Sequence, residues 1–321
     1  MLSRQKRIAF IVNPNAAMGA TGREWPQIES LAKERLGPFE AYLTNAQGDA
    51  IRLTRQALLE GAEQIICVGG DGTLNEVVNG FMEEDGPIQP GAILAYIPRG
   101  TGCDFVKTVP IPKELNESMD LILKSQAHPI DLGQLRYRDH RGQSALRYFH
   151  NITSFGLGGE VDERVNRTTK AFGGFISFIW ATLISILIYD KKRIRLKMDN
   201  GPEQNVSSWN VVVANGQYQG GGMWVAPDAR VDDGLFNVTV IGDLSLPEVF
   251  WHLPKLYNGK LLEVDKVSAF QAKKVEADSD QRVLLDVDGE QLGELPVLIQ
   301  IMPGALPLIM GNEPYPLSEI S

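Results

Sequence analysis

Short apolar segments alternate with helix-like segments through the N-terminal part of the chain, and this alternation constrains the fold more than any other feature. Runs such as Ile8–Val12 and Ala92–Ile97 are apolar throughout, which is typical of strands buried on both faces of a parallel sheet. Strands that alternate with helices form parallel βαβ units. We therefore predict a doubly wound parallel sheet with strands Ile8–Val12, Phe39–Leu43, Gln64–Val68 and Ala92–Ile97 and helices Glu24–Leu36, Gly48–Glu60 and Thr73–Met82.

The pattern changes from about Ile130, where segments of strand length and β-rich composition recur. Turn sequences such as Asp199-Asn200-Gly201 and Asp232-Asp233-Gly234 separate them. An antiparallel β-sandwich is the expected architecture. Its predicted strands are Arg193–Met198, Val206–Ala214, Leu235–Ile241, Val283–Val287 and Leu295–Ile301.

The length of 321 residues is sufficient for two domains. The change of pattern predicts an α/β domain over residues 1–128 and a β-rich domain over residues 129–302. The remaining segment, 303–321, is expected to pack back on the first domain, because chain termini often lie close together.

Charge and cysteine content exclude some functions. The net charge of −9 argues against a nucleic-acid binder that relies on a basic surface. Two cysteines, Cys67 and Cys103, cannot form a disulfide scaffold and fit a reducing cytoplasm. The four histidines are scattered, so a zinc site of His and Cys is not expected.

Three glycine-rich loops follow predicted parallel strands, where such sheets bind ligands. They are Asn13–Gly19, Gly69–Glu76 and Pro98–Asp104. Small residues let the backbone approach a phosphate, and N–H groups at a helix N-terminus favour its charge. Asp71 and Asp104 would repel bare phosphate, so they suggest Mg²⁺ or a nucleophile's proton nearby. Neither a P-loop nor a dinucleotide-binding fingerprint is present.

Each motif also has a purely structural interpretation. Thr73-x-x-Glu76 matches a capping box at the start of a helix. Asp288-Gly289 matches the two central residues of a type I′ hairpin turn. Asp232-Asp233-Gly234 matches a simple turn before a strand.

The chain resembles the diacylglycerol kinase catalytic-domain family, in particular the bacterial soluble lipid kinases. The matching pieces occur in the family's order over nearly the whole chain. They are Asn13-Pro14, Gly69-Gly70-Asp71-Gly72-Thr73 with Asn75-Glu76, Gly100-Thr101-Gly102-x-Asp104-Phe105, Ile130-Asp131-Leu132-Gly133, Asp232-Asp233-Gly234 and Asp288-Gly289-Glu290.

The resemblance implies an ATP-dependent lipid kinase of phospholipid metabolism that uses Mg²⁺. Asp71 and Asp104 would organise the catalytic Mg²⁺, and the general base would be Glu290 or Asp288. Asp233, with the Arg230 and Leu235 carbonyls, would hold a second Mg²⁺. The implied nucleotide-binding residues are Asn13, Thr44, Gly69, Gly70, Asp71, Gly72, Thr73, Leu74, Asn75 and Thr101.

Two positions depart from the family's pattern. The first loop reads Asn15-Ala16-Ala17-Met18-Gly19 where the family usually has Ser-Gly, so one hydroxyl is missing. Cys103 replaces the usual Asn before Asp104. Cysteine is a weak donor, so hydrogen bonding near the nucleotide would be reduced; it is also typical of a small buried residue.

Two other functions stay open at this stage. An NAD kinase shares the Gly-Gly-Asp-Gly-Thr core, although the loop after the fourth strand does not match the NAD kinase pattern. A non-enzymatic nucleotide- or lipid-binding regulator would fit the two departures. The sequence identifies neither the acceptor lipid nor the oligomeric state, and a homodimer remains possible.

The segment Phe172–Tyr189 carries no charged residue and is followed by Lys191-Lys192-Arg193. Its 18 residues are a minimal length for a membrane span. A single span would put the N-terminal loops and Asp288-Gly289-Glu290 on opposite sides of a bilayer. The remaining alternatives are a buried core helix and a helix that touches an anionic membrane surface. We favour the second, on a cytoplasmic, peripherally associated protein, because a lipid kinase must collect its substrate from a membrane.

Overall fold

The computed structural model describes residues 6–167 and 186–311, which divide into two units. Among the described residues, the first unit comprises 6–130 with 304–311, and the second comprises 131–167 with 186–303. The predicted domain limits at residues 128 and 302 lie close to these divisions. Most of the segment Phe172–Tyr189 lies outside the described residues.

A parallel sheet forms the centre of the first unit, in the order β6-β3-β1-β2. The strands and helices are β1 Ile8–Val12, α1 Ala16–Leu36, β2 Glu40–Leu43, α2 Asp49–Leu59, β3 Gln64–Gly69, α3 Asp71–Phe81, β4 Met82–Glu83, β5 Gly86–Pro87, β6 Ile93–Pro98, α4 Phe105–Thr108 and α5 Leu115–Lys124.

Helices cover both faces of this sheet. On one face, Phe10 and Val12 pack with Trp25 of α1 and Met119 of α5. Successive strand residues point to opposite faces, so Ile11 faces the other side, where α2 and α3 pack against each other. The predicted doubly wound α/β architecture is confirmed, because both faces are buried as the apolar strands require.

Antiparallel strands form the second unit, apart from a few helices. The elements are β7 Ala127–Asp139, β8 Ser144–Phe149, β9 Ile152–Gly156, α6 Leu157–Arg167, β10 Lys192–Met198, β11 Gln204–Ser208, β12 Asn210–Ala214, β13 Tyr218–Gln219, β14 Met223–Trp224, β15 Phe236–Ile241, α7 Leu246–His252, β16 Val267–Ala272, β17 Lys274–Asp278, β18 Leu284–Val287 and β19 Glu290–Ile309. Two short 3₁₀ turns lie at Leu253–Leu256 and Leu261–Glu263.

Two sets of strands share the core of the second unit. One set runs in the order β16-β15-β12-β9-β18-β19, and the other joins β11, β10, β17 and β19. Apolar side chains from both sets, such as Phe155, Val213, Leu196 and Ile299, belong to one buried cluster. The predicted antiparallel sandwich is confirmed.

Two local predictions were wrong. The segment Val206–Ala214 is two strands, because the Trp209 N–H donates to Ile241 O and its indole N–H donates to Leu244 O. The helix predicted from Glu24 begins at Ala16, although Ala17, Met18 and Gly19 have left-handed backbone angles.

Candidate active site

Asp71 joins two of the glycine-rich loops in the first unit. It is the first residue of α3, directly after the end of β3 and Gly70. Its Oδ2 accepts a hydrogen bond from the Asp104 N–H at 3.1 Å, and its Oδ1 accepts from the Phe105 N–H at 3.4 Å. The carboxylate therefore ties the loop after β3 to the loop after β6.

The same two loops meet at a pair of glycines. A Cβ added to Gly100 would lie 2.4 Å from the Gly70 Cα, so no side chain fits at this contact. A Cβ added to Gly72 would meet nothing within 4 Å. The backbone at the start of α3 is therefore open to a close ligand, as a phosphate site at a helix N-terminus requires.

Asn13 connects the first loop to this arrangement. Its Nδ2 donates to Thr73 Oγ1 at 2.9 Å, and its backbone N–H donates to Val68 O. The N–H of Thr44, at the end of β2, donates to Val12 O at 2.9 Å. The predicted residues Asn13, Thr44 and Thr101 thus lie in loops at the carboxyl edge of one sheet, and Thr73 lies in the first turn of α3 at the same edge.

The carboxylates of Asp71 and Asp104 lie against the same glycine. An ideal Cβ on Gly102 would be 3.5 Å from Asp71 Oδ2 and 4.0 Å from Asp104 Oδ2. Lys107 Nζ lies 2.6 Å from Asp104 Oδ1 and neutralises part of this charge. Two carboxylate groups converging on one small space are a donor set that suits Mg²⁺.

Some predicted nucleotide-binding residues are less accessible than expected. Leu74 is fully buried, and its N–H donates to Gly70 O, so neither group is available to a nucleotide. Asn75 is also buried, and its amide oxygen accepts from Asn79 Nδ2 at 3.1 Å. Thr101 is exposed.

The capping-box interpretation of Thr73-x-x-Glu76 is wrong. The helix begins at Asp71 after an N-cap at Gly70, two residues earlier than a Thr73 cap requires. Glu76 instead accepts hydrogen bonds from the N–H groups of Gly48 and Ala50, at 2.8 and 3.0 Å. Its carboxylate therefore caps α2, the neighbouring helix.

Cys103 is buried in the loop after β6, and its φ is +49°. Its Sγ accepts from the Gly100 N–H at 3.2 Å and lies 3.6 Å from the Tyr96 hydroxyl. Burial, with a further contribution from Asp71, raises the pKa of the Cys103 thiol. The residue is thus an internal part of the loop.

In the second unit, Asp288 and Gly289 connect β18 to β19 by a two-residue turn. Their φ values are +49° and +86°, and positive φ at both central positions defines a type I′ turn. The predicted hairpin turn is therefore present, and Glu290 follows it as the first residue of β19.

The Asp288 side chain is directed into the second unit and is only 1% exposed. His150 Nδ1 lies 2.8 Å from its Oδ2, and the N–H groups of His150, Asn151 and Ile152 donate to its two oxygens. Burial raises the pKa of Asp288, but His150 and these N–H groups more than offset it, so the pKa is lowered. A carboxylate so strongly held in its ionised form is a poor proton acceptor.

Glu290 has a different environment. Arg147 Nη2 lies 2.9 Å from its Oε2, and the two side chains are 13% and 17% exposed. Of the two candidate bases, Glu290 thus retains partial access to solvent while Asp288 is enclosed.

The predicted second metal site lies in the loop before β15. Asp131 Oδ2 accepts from the Gly234 N–H at 2.7 Å, and Asp233 Oδ1 accepts from the Leu235 N–H at 3.0 Å. Burial, and then the nearby Asp131 and Asp232, raise the pKa of Asp233. A cation would be favoured at such a carboxylate, although over residues 6–167 and 186–311 no three His, Cys, Asp or Glu side chains are grouped to hold one.

Sequence reasoning missed Lys107, Arg147 and His150. Lys107 lies three residues after Asp104, a spacing at which an ion pair could have been foreseen. Arg147 and His150 are 143 and 138 residues before their partners, so no local pattern links them.

Within the described part of the chain, no helix is long and apolar enough to cross a bilayer.

Similarity to known proteins agrees with both units. Residues 7–135 match the family described as "Diacylglycerol kinase catalytic domain", and residues 151–310 match "YegS C-terminal NAD kinase beta sandwich-like domain". A solved structure of a diacylglycerol kinase from Bacillus anthracis str. Sterne has a similar fold. Its TM-score is 0.70 at 22% identity, over 96% of this chain and 97% of that one.

A parallel α/β unit with glycine-rich loops, followed by an antiparallel β-sandwich unit, defines a class of two-domain kinases. Within this class, a diacylglycerol kinase from Staphylococcus carnosus (strain TM300) is 30% identical over 91% of both chains. Another from Staphylococcus aureus (strain Newman) is 29% identical over 91% of this chain and 88% of that one. The chain belongs to the diacylglycerol kinase family and is an ATP-dependent lipid kinase.

This family assignment decides between the functions left open by the sequence. The likeness to NAD kinases in the Gly-Gly-Asp-Gly-Thr core is joined by a likeness of the second unit, whose family description includes an NAD kinase β-sandwich. With Cys103 in the loop after β6, the carboxylates of Asp71 and Asp104 still lie beside Gly102.

Proposed function

We propose that this protein transfers the γ-phosphate of ATP to the hydroxyl of a membrane lipid of the diacylglycerol type. The observation that carries the proposal is the Asp71 carboxylate, which ties the loop after β3 to the loop after β6. The names of the relatives, which are diacylglycerol kinases, support the choice of acceptor.

Each group of residues has a distinct role in the proposed reaction. The loops at Asn13, Gly69–Thr73 and Thr101 bind ATP, with the open backbone at Gly72 facing the phosphates. Mg²⁺, when bound by Asp71 and Asp104, would neutralise charge on the phosphates.

Glu290 accepts the proton of the lipid hydroxyl. The hydroxyl oxygen forms a bond to the γ-phosphorus, and the bond from that phosphorus to the β–γ bridging oxygen breaks. ADP leaves with the electron pair, and the proton remains on the Glu290 carboxylate until solvent removes it.

We also propose that Asp233, with the Arg230 and Leu235 carbonyls, binds a structural Mg²⁺. The raised pKa of Asp233, caused by burial and by neighbouring carboxylates, supports a cation there. Calorimetric titration of Mg²⁺ into the wild type and into Asp233→Asn tests the assignment. Loss of one binding site in the variant is expected, and identical titrations contradict it.

We further propose that the protein is cytoplasmic and contacts anionic membranes peripherally. The side chains of Leu187 and Ile188, near the end of the segment Phe172–Tyr189, are apolar and exposed, which supports this contact. Co-sedimentation with vesicles of phosphatidylglycerol and phosphatidylcholine tests it. Binding that falls with added salt is expected, and no binding to anionic vesicles contradicts it.

Asp71→Asn tests the catalytic site. The variant loses the negative charge to which we assign Mg²⁺ binding, and it weakens one link to the loop after β6, so we expect transfer to fall by at least about 100-fold. Radiolabelled ATP with a panel of diacylglycerol, phosphatidylglycerol and a sphingoid base measures transfer and identifies the acceptor. Asp49→Asn is the matched control, because Asp49 also accepts from loop N–H groups, those of Asn45 and Ala46. Near-normal turnover by folded Asp71→Asn overturns the site.

A further inference from the structure

Arg147 is joined to Glu290 by an ion pair that is largely shielded from water. Arg147 Nη2 lies 2.9 Å from Glu290 Oε2, and the side chains are 13% and 17% exposed. Exposed ion pairs of flexible side chains contribute little to stability, whereas an ion pair that is shielded from water confines both of its side chains. The contact therefore restricts where the Glu290 carboxylate can lie.

Both residues of this ion pair lie in strands that are paired with a neighbouring strand. Arg147 lies in β8, opposite Leu135 of β7 in an antiparallel register. Glu290 begins β19 opposite Val287 of β18, across the type I′ turn. Asp288, in that turn, is bound by the backbone of residues 150–152, just beyond β8. Two contacts thus connect the region of β8 with the start of β19. One is the ion pair between Arg147 and Glu290, and the other is the set of hydrogen bonds from residues 150–152 to Asp288.

We infer that Arg147 is a positioning residue for the proton acceptor Glu290, an inference that rests on the proposed role of Glu290. The guanidinium holds Oε2 in place and so fixes the orientation of the carboxylate that accepts the proton. A carboxylate displaced by about 1 Å can cost about 100-fold in rate. Arg147 itself takes no part in bond making.

A purely structural role for Arg147 predicts a different result. Replacing Arg147 would then lower the stability of the protein and leave the turnover of the folded protein unchanged. If Arg147 acts through Glu290, its replacement lowers kcat only while Glu290 is present, and it leaves the KM for ATP unchanged. The two roles therefore differ in a double-mutant cycle.

The experiment measures kcat, the KM for ATP and the thermal midpoint for the full-length protein with ATP, Mg²⁺ and diacylglycerol in mixed micelles. The variants are Arg147→Met, Arg147→Gln, Arg147→Lys, Glu290→Gln and the double variant of Arg147→Met with Glu290→Gln. Arg195→Met is the matched control, because Arg195 pairs with Asp278 and Asp280 at a more exposed position of the same unit.

We expect Arg147→Met and Arg147→Gln to lower kcat by about 10- to 100-fold, with the KM for ATP within about twofold. Arg147→Lys should recover part of kcat, since a cation returns without the planar guanidinium. In the Glu290→Gln background, Arg147→Met should change kcat by less than about twofold. Arg195→Met should leave kcat unchanged.

The outcomes separate this inference from the proposed function. If Glu290→Gln retains wild-type kcat, Glu290 is not the base and the proposed function is wrong in that respect. If Glu290→Gln is inactive but folded Arg147→Met or Arg147→Gln turns over normally, only the positioning role is overturned. If Arg147→Met lowers kcat by the same factor in the wild-type background and in the Glu290→Gln background, the positioning role is also overturned. Should Arg147→Met not fold, Arg147→Gln carries the same test.

Discussion

Individual residues with left-handed backbone angles concentrate in the loops assigned to the reaction. Ala17, Met18, Cys103 and Asp288 have φ between 49° and 55°, a region that side chains with a Cβ seldom adopt. Asp199, in the turn after β10, also has a φ of 49° but lies outside these loops. Such conformations are retained when the surrounding structure enforces them, and they occur often at functional sites. Here one pair lies in the first loop, one residue lies beside Asp104, and one lies beside Glu290.

Cys103 provides a test of this strain. Its φ of +49° suits asparagine better than other side chains, and an amide can replace the contacts of Sγ with the Gly100 N–H and the Tyr96 hydroxyl. We expect Cys103→Asn to match or exceed the wild-type free energy of unfolding. Cys103→Val, with a β-branched side chain, should lose about 1–2 kcal/mol or more. Urea unfolding measures both, and a less stable Asn variant than Val variant would contradict the role of φ.

The lowered pKa of Asp288 predicts that the stability of the folded protein depends on pH. The pKa of this carboxyl is lowered in the folded protein, because His150 and backbone N–H groups outweigh the effect of burial, so its charge stabilises the fold above the unfolded pKa of 3.8. That contribution is lost as the pH falls through the lower folded pKa. Asp288→Asn keeps a residue suited to the type I′ turn but removes the charge.

We expect Asp288→Asn to lower the free energy of unfolding at about pH 5, with the deficit relative to wild type shrinking below about pH 4. Urea denaturation at a series of pH values measures the difference. A deficit that grows on acidification would mean that the sign of the pKa shift is reversed.

At the scale of elements, α2 and α3 depend on one carboxylate. Glu76 lies within α3, and it accepts from the N–H groups of Gly48 and Ala50 at the start of α2. Because Glu76 is buried, its loss leaves donors of α2 without a partner in a region that water reaches poorly.

We expect Glu76→Ala to lower the free energy of unfolding by about 1–2 kcal/mol, the usual range for a lost helix cap. Glu114→Ala is the matched control, since Glu114 caps α5 from an exposed position and its loss should matter less. Chemical denaturation compares the two. An equal loss from both variants would show that burial of the Glu76 cap is unimportant.

The elements also show which parts of the structure the sequence can predict. The apolar run Ile8–Val12 predicts its strand to the residue, because burial on both faces leaves little choice of periodicity. Glycine loops could be located because they follow such strands. The capping role of Glu76 could not be predicted, since its partners lie on another helix and are known only after folding.

The same limit applies to the candidate site. The Asp288-Gly289 turn is a local pattern and could be foreseen. The partners that distinguish Asp288 from Glu290, His150 and Arg147, come from a distant strand region, so only the structure separates an enclosed carboxylate from a partly accessible one.

At the scale of the whole molecule, the first unit is built from two separate parts of the chain. The end of β19 returns to it, and Leu308 lies opposite Leu94 of β6 in a parallel register. Leu306, Leu308, Ile309 and Met310 are all buried, and Ile309 belongs to the cluster that contains Phe10 and Trp25. The unit assigned to ATP therefore depends on residues that follow the second unit.

We expect truncation after Pro303 to unfold or severely destabilise the first unit. Burial of each large apolar side chain contributes about 1.5–3 kcal/mol, so losing several of them removes a large share of a typical stability of about 5–15 kcal/mol. The edge of β6 would also lose its neighbouring strand. Leu308→Ala, a milder change, should cost about 2–5 kcal/mol. Truncation after Gly311 is the control, because it keeps the whole of β19. Calorimetry and ATP binding compare the three proteins with the wild type, and a protein ending at Pro303 that binds ATP normally would show that the first unit folds without its C-terminal strand.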